Sequence, residues 1–108
     1  MKDIKKYRTS TGIEPFNEWL EKLDWMTQAK IDAYVIRAAS GLIKNVEPVG
    51  DGVFEIKIDY GPGYRVYFGQ EGRQLIVLLL GGDKRSQKRD IAKAKEYWRD
   101  FHAKKPKL

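Results

Sequence analysis

Four cations sit where folding could bring them together: Lys57, Arg65, Lys84 and Arg85, with Lys88 and Arg89 one turn further on. Lys57 and Arg65 flank a Gly61-Pro62-Gly63 turn, and Lys84 and Arg85 follow Gly81-Gly82-Asp83. Such a set suits phosphodiester chemistry. A phosphate passing through a pentavalent state gains negative charge, which fixed Arg and Lys donors stabilise strongly. RNA carries its own nucleophile, the 2′-hydroxyl, so cleavage needs a base, an acid and charge stabilisation, but neither a metal nor a covalent enzyme residue. Lys57 or Glu55 can take the hydroxyl proton, Arg65 can hold the phosphate bidentately, and Lys84 or Arg85 can stabilise or protonate the leaving oxygen. Tyr67 or Tyr60 can stack on a base. A non-catalytic basic binding face fits the same spacing equally well. In that case Glu55 and Lys57 are cross-strand charges and Arg65 pairs with Asp59.

Other inventories are missing from the sequence. The single histidine, His102, lies near the end of the chain, and there is no Cys, so neither a His or Cys zinc set nor a disulfide is available. The acids are scattered, with no evident two-metal ligand set, and the glycine pairs lack the context of a nucleotide-binding loop. No metal and no cofactor is therefore expected. The 108 residues carry a formal charge of +6, with thirteen bases against eight acids after residue 50 and eight against seven before it. That asymmetry suits a polyanionic partner. The N-terminus has no apolar signal core and no run approaches membrane-spanning length, so a cytoplasmic protein is expected, with no membrane partner.

These side chains are positioned by strands. In Val53–Asp59, Phe54, Ile56 and Ile58 alternate with Glu55, Lys57 and Asp59, and Tyr64–Phe68 alternates Tyr64, Val66 and Phe68 with Arg65 and Tyr67. This reads as a hairpin of two half-buried strands. Side chains alternate faces, so facing residue numbers must sum to an even value, 122 or 124 for a short loop. Either register gathers Glu55, Lys57, Arg65 and Tyr67 on one face, expected to be open. Leu75–Leu80 shows no alternation and should be central and covered on both faces. Gly81 and Gly82 then let the chain turn.

Upstream, Lys2–Thr9 fits an edge strand guarded by lysines. Pro15 opens a helix whose stripe is Phe16, Trp19, Leu20 and Leu23. Asp24 or Thr27 caps a second, with Ile31, Tyr34, Val35, Ala38 and Leu42 along one face and Gly41 as its stop. Asn45–Gly52 reads as a turn-rich connection. Ser86 caps a third helix with the stripe Ile91, Ala94, Trp98 and Phe101, and 103–108 reads as a frayed tail. The expectation is one α+β domain over 1–108, ordered strand, helix, helix, three strands, helix, with helices packed on an antiparallel sheet. Pattern leaves the partner of the first strand open.

The run Gly52–Phe68, followed by Leu78–Lys84, Gln87 and Asp90-Ile91, resembles the phage Gp49-like, or addiction-module killer, branch of the RelE/ParE toxin superfamily, to which HigB-type toxins belong. Phe16–Leu20 fits the same pattern, so the resemblance spans nearly the whole chain. It implies a RelE-like fold and the toxin of a type II toxin-antitoxin pair. RelE-like members cleave mRNA without metal, usually in the ribosomal A site, whereas ParE-like members inhibit DNA gyrase. The resemblance implies that Lys57, Arg65 and Lys84 occupy the basic site positions. Glu55 stands where RelE has a lysine, Asp90 lies nearest to its missing C-terminal tyrosine, and His102 does not match the histidine of HigB. The expected partners are mRNA on the ribosome and a cognate antitoxin, helix-turn-helix in type and encoded next door, through which alone DNA is met. Expected site residues are thus Lys57, Arg65, Lys84, Glu55 and Asp90 for catalysis, and Arg85, Arg89, Lys88, Tyr67 and Tyr60 for RNA. A gyrase inhibitor and a non-catalytic nucleic-acid-binding module are the alternatives.

Overall fold

In the computed structural model, which describes residues 1–42 and 44–104, the alternating run forms β3 (Val53–Ile58) and pairs antiparallel with β4 (Tyr64–Glu71). Facing residues sum to 122, with Lys57 opposite Arg65 and Ile58 opposite Tyr64. Gly61 and Gly63 in the turn have φ of 57° and 80°, left-handed values that glycine adopts without a Cβ clash. β5 (Leu75–Gly82) lies antiparallel on the other side of β4 and is buried along most of its length, as its unbroken apolar run requires.

Two corrections concern the sheet. The stretch expected as a turn-rich connection contains a strand, β2 (Val46–Gly50), which makes a hairpin with β3. Gly50, Asp51 and Gly52 turn the chain with φ of 100°, 58° and 82°. β2 is an edge strand, where Pro48 is tolerated because its missing N–H need not serve a further neighbour. The first strand, β1 (Asp3–Lys6), runs parallel to β5, so the five-stranded sheet is mixed, with order β1-β5-β4-β3-β2. The long connection from β1 to β5, through two helices and three strands, permits that parallel return.

Helices α1 (Pro15–Leu20) and α2 (Trp25–Ala39) cover one face of the sheet. Phe16, Leu20, Ile31, Val35 and Ala38 pack there on Ile56, Ile58, Val66, Phe68, Ile76 and Leu78. Asp24 is the cap of α2, accepting from the Thr27 N–H at 2.8 Å. The helix ends at Ala39, so Leu42 falls outside it and is exposed instead of extending the stripe. Trp25 is 75 % exposed at its start.

Helix α3 (Gln87–Ala103) covers the opposite face, where Ala94 and Trp98 meet Val53, Tyr67, Val77 and Leu79. Ser86 makes no side-chain cap for it. The capping residue is Asp83, whose side chain accepts from the Arg85 N–H at 2.9 Å and opens a 3-10 turn (Lys84–Ser86) that leads into α3. At the far end Ala103 is helical and the Lys104 ammonium lies 2.8 Å from Asp100, so these two residues of the expected tail are ordered. Residues 105–108 lie outside the described ones. Among the described residues no helix is long and apolar enough to cross a membrane.

Candidate functional site

The pairing register makes a row across three strands: Lys57 on β3, Arg65 on β4 and Gly82 on β5. A β-bulge sets its last member, because Tyr67 faces Leu80 while Phe68 faces Leu78, leaving Leu79 unpaired. From Gly82 the chain passes through Asp83 into the 3-10 turn, which delivers Lys84. A Cβ built on Gly63 would stand 3.4 Å from Arg65 Nη1 and 3.6 Å from Lys84 Cβ. Arg65 and Lys84, remote in sequence, therefore flank the same turn, and Lys57 is next to Arg65.

The two glycines that end β5 do not act as turn residues. Gly81 and Gly82 lie within β5, and a Cβ on Gly81 would fall 2.1 Å from the Trp19 ring, one on Gly82 2.0 Å from Asp90 Oδ2. They are glycines because a ring on one face and a carboxylate on the other press against the backbone.

The face expected to be open is largely closed by α3. Glu55 is 1 % exposed and Tyr67 0 %, and the Arg65 side chain is 11 % exposed. The Glu55 carboxylate accepts from Gln87 Nε2 at 2.8 Å, and the same oxygen lies 3.4 Å from Arg65 Nε. Arg65 thus pairs with Glu55 and not with Asp59, and its Nη1 donates to the Gly63 carbonyl at 2.9 Å. Arg65 Nε and the Tyr67 hydroxyl are buried without a hydrogen-bond partner among the described residues. Burial first, and then the Glu55 carboxylate, push the Tyr67 phenol above its ordinary range, so it stays protonated. Tyr67 has no surface on which a base could stack.

Asp90 is also buried, and its carboxylate accepts from the Ser86 hydroxyl at 2.5 Å. The other expected residues remain at the surface. Lys57 is about half exposed, 3.4 Å from Glu47. Lys84 and Lys88 are exposed and make no ion pair with a described residue. Arg85 pairs with Asp83 at 3.2 Å and holds that carboxyl below the usual carboxylate range. Arg89 is exposed, with Nε 4.0 Å from Asp90. Tyr60 is not part of the group: it packs with the α1–α2 core, stacked on Tyr64, with Lys30 Nζ 4.4 Å from its ring centre.

The structure therefore brings Lys57, Arg65 and Lys84 together, with Arg85, Lys88 and Arg89 on the adjoining turn and helix. Glu55, Tyr67 and Asp90 lie beneath them. The reading of the sequence missed Gln87 as a tether from α3 to β3, and Gly82 as the seat of Asp90. The Gly-Gly pair inside an apolar strand was the signal for the second. A groove of about 760 Å³ lies elsewhere, along β1 between Ile4, Lys6, Leu75 and Phe101. Among the described residues no group of three or more His, Cys, Asp or Glu is arranged to hold a metal ion.

The family model described as Phage derived protein Gp49-like (DUF891) matches residues 18–99, a span that contains every member of the cationic group. A protein of Haemophilus influenzae, described as "Uncharacterized protein", is 44% identical over 81 residues, covering 74% of this chain and 82% of that protein.

Proposed function

The chain belongs to the phage-derived Gp49-like family, a toxin-like family, and from that footing we propose that it is the toxin of a type II toxin-antitoxin pair, a metal-independent endoribonuclease acting on ribosome-bound mRNA in the cytoplasm. The observation that carries this reading is the meeting of Lys57, Arg65 and Lys84 around the Gly63 turn. A sheet ordered β1-β5-β4-β3-β2 between an α1–α2 pair and α3 supports a RelE-like arrangement.

In the proposed reaction the 2′-hydroxyl gives its proton to water as its oxygen attacks the neighbouring phosphorus, the bond to the 5′-oxygen breaks, that oxygen takes up a proton from water as the 5′-hydroxyl, and a 2′,3′-cyclic phosphate is left. Arg65, braced by the Gly63 carbonyl, faces the phosphate, while Lys57 and Lys84 neutralise the charge that builds on its oxygens. Arg85, Lys88 and Arg89 hold the flanking backbone. Glu55 and Asp90 are buried and already engaged, so neither is given the proton. With acid-base equipment this sparse, the ribosome contributes by fixing the RNA in an attacking conformation. A helix-turn-helix antitoxin of complementary charge covers the basic face.

The test uses Lys84→Ala, because Lys84 is exposed and makes no ion pair with a described residue, so that its loss leaves the fold alone, whereas Arg65→Ala strands a buried carboxylate. On induction in cells the wild type should create new 5′ ends within translated mRNAs. Lys84→Ala should lower their yield by roughly 10²-fold. Growth arrest with unchanged transcripts and DNA-damage signalling would overturn the proposal in favour of gyrase.

A further inference from the structure

Glu55 stands at a polar position of an alternating strand, yet it is buried as completely as the isoleucines beside it. An ionised carboxylate taken out of water is costly unless well paired, and apolar side chains of similar size would serve stability as well. Stability alone does not account for it. Its contacts suggest what does. One oxygen, Oε1, is shared between Arg65 Nε on β4 at 3.4 Å and Gln87 Nε2, the first residue of α3, at 2.8 Å. Arg65 belongs to the strand half of the cationic group and Gln87 follows directly on the turn that carries Lys84 and Arg85. A single carboxylate therefore ties the two halves to each other.

We infer that Glu55 is a positioning residue, which sets the Arg65 guanidinium and the Lys84-bearing turn at a fixed separation and takes no proton from the substrate. The inference rests on reading the cationic group as a phosphate site. Arg65 is then held on two sides, by the attraction of the Glu55 carboxylate 3.4 Å from Nε, where no hydrogen bond forms, and by the hydrogen bond from Nη1 to the Gly63 carbonyl. Its Nη2 makes no hydrogen bond to a described residue and is the nitrogen left for a phosphate oxygen. Gln87 ties the helix to the same carboxylate, so a displacement of α3 and a displacement of Arg65 are coupled.

The experiment compares the wild type with Glu55→Gln, which keeps the shape but removes the charge, and Gln87→Ala, which keeps the ion pair but cuts the tether. One arm follows the Arg65 Nε–H resonance by ¹⁵N NMR. Its chemical shift should be the same in the wild type and in Gln87→Ala and should move in Glu55→Gln, where the guanidinium leaves the position that the Glu55 charge fixes. The other arm measures cleavage of mRNA on programmed ribosomes as a function of pH. Glu55→Gln should lower kcat roughly tenfold to a hundredfold with KM little changed, since misplacement by about 1 Å costs that much, and the acidic limb of the pH profile should survive. Gln87→Ala should lower kcat by a smaller factor, and it carries the test if Glu55→Gln does not fold. An unchanged Arg65 resonance in Glu55→Gln, or loss of the acidic limb, overturns the inference. A wild type that cleaves no RNA overturns the nuclease reading instead, and the resonance arm still decides the role of Glu55.

Discussion

The two faces of the sheet are built on different terms. Beneath α1 and α2 the core cluster is apolar, from Phe16 and Ile31 to Val66 and Leu78, and the buried polar residue there, Thr27, is satisfied by the Asp24 cap. Beneath α3 an apolar half, Val53, Val77, Leu79, Ala94 and Trp98, gives way toward the start of the helix to Glu55, Arg65, Tyr67, Gln87 and Asp90. The first face has every reason to exist in stability alone. The second holds two buried carboxylates, a guanidinium nitrogen and a phenol without hydrogen-bond partners among the described residues, and a glycine, Gly82, pressed by the Asp90 carboxylate. Such departures from an easy core concentrate where a fold serves a site.

The comparison can be broken most directly by Phe16→Ala, which opens a cavity on the apolar face. It should cost about 3–5 kcal/mol in urea unfolding while cleavage per folded molecule stays unchanged; lost activity in the folded fraction would show that the two faces are not separable. Gly82→Ala acts on the other face, where the new methyl meets Asp90 and must push α3 outward. It should cost about 1–3 kcal/mol, and toxicity in cells should fall further than stability. Tyr67→Phe is the smallest change. Because the hydroxyl is buried without a well-formed hydrogen bond to any described residue, its removal should leave stability equal or raise it by up to about 1 kcal/mol, seen as a Tm that does not fall. A clear drop in Tm would mean that the phenol is bonded after all, and that the polar half is better satisfied than it looks.

Much of the hairpin was legible beforehand. The alternation in Val53–Ile58 and Tyr64–Phe68 dictates which residues share a face, and parity with a short loop restricts the register to two choices, of which the sum of 122 is adopted. Three apolar stripes at helical spacing foretold α1, α2 and α3. β2 was hidden because Pro48 and its neighbouring glycines read as loop, a composition that an edge strand tolerates. The parallel pairing of β1 with β5 was hidden for another reason: it joins segments about seventy residues apart, and no local pattern encodes it.

The candidate site divides along the same line. The types and spacing of Lys57, Arg65 and Lys84 follow from the sequence, as does their delivery by one hairpin and one strand end, because strand periodicity is a local property of the backbone. Which face they occupy, and what covers it, depends on where α3 returns, and that is decided by the packing of Trp98 and Ala94 on the sheet. Only the tertiary structure could turn Glu55 and Tyr67 from exposed candidates into buried supports. Burial is a property of what lies opposite a residue, and a residue's own sequence neighbours do not carry it.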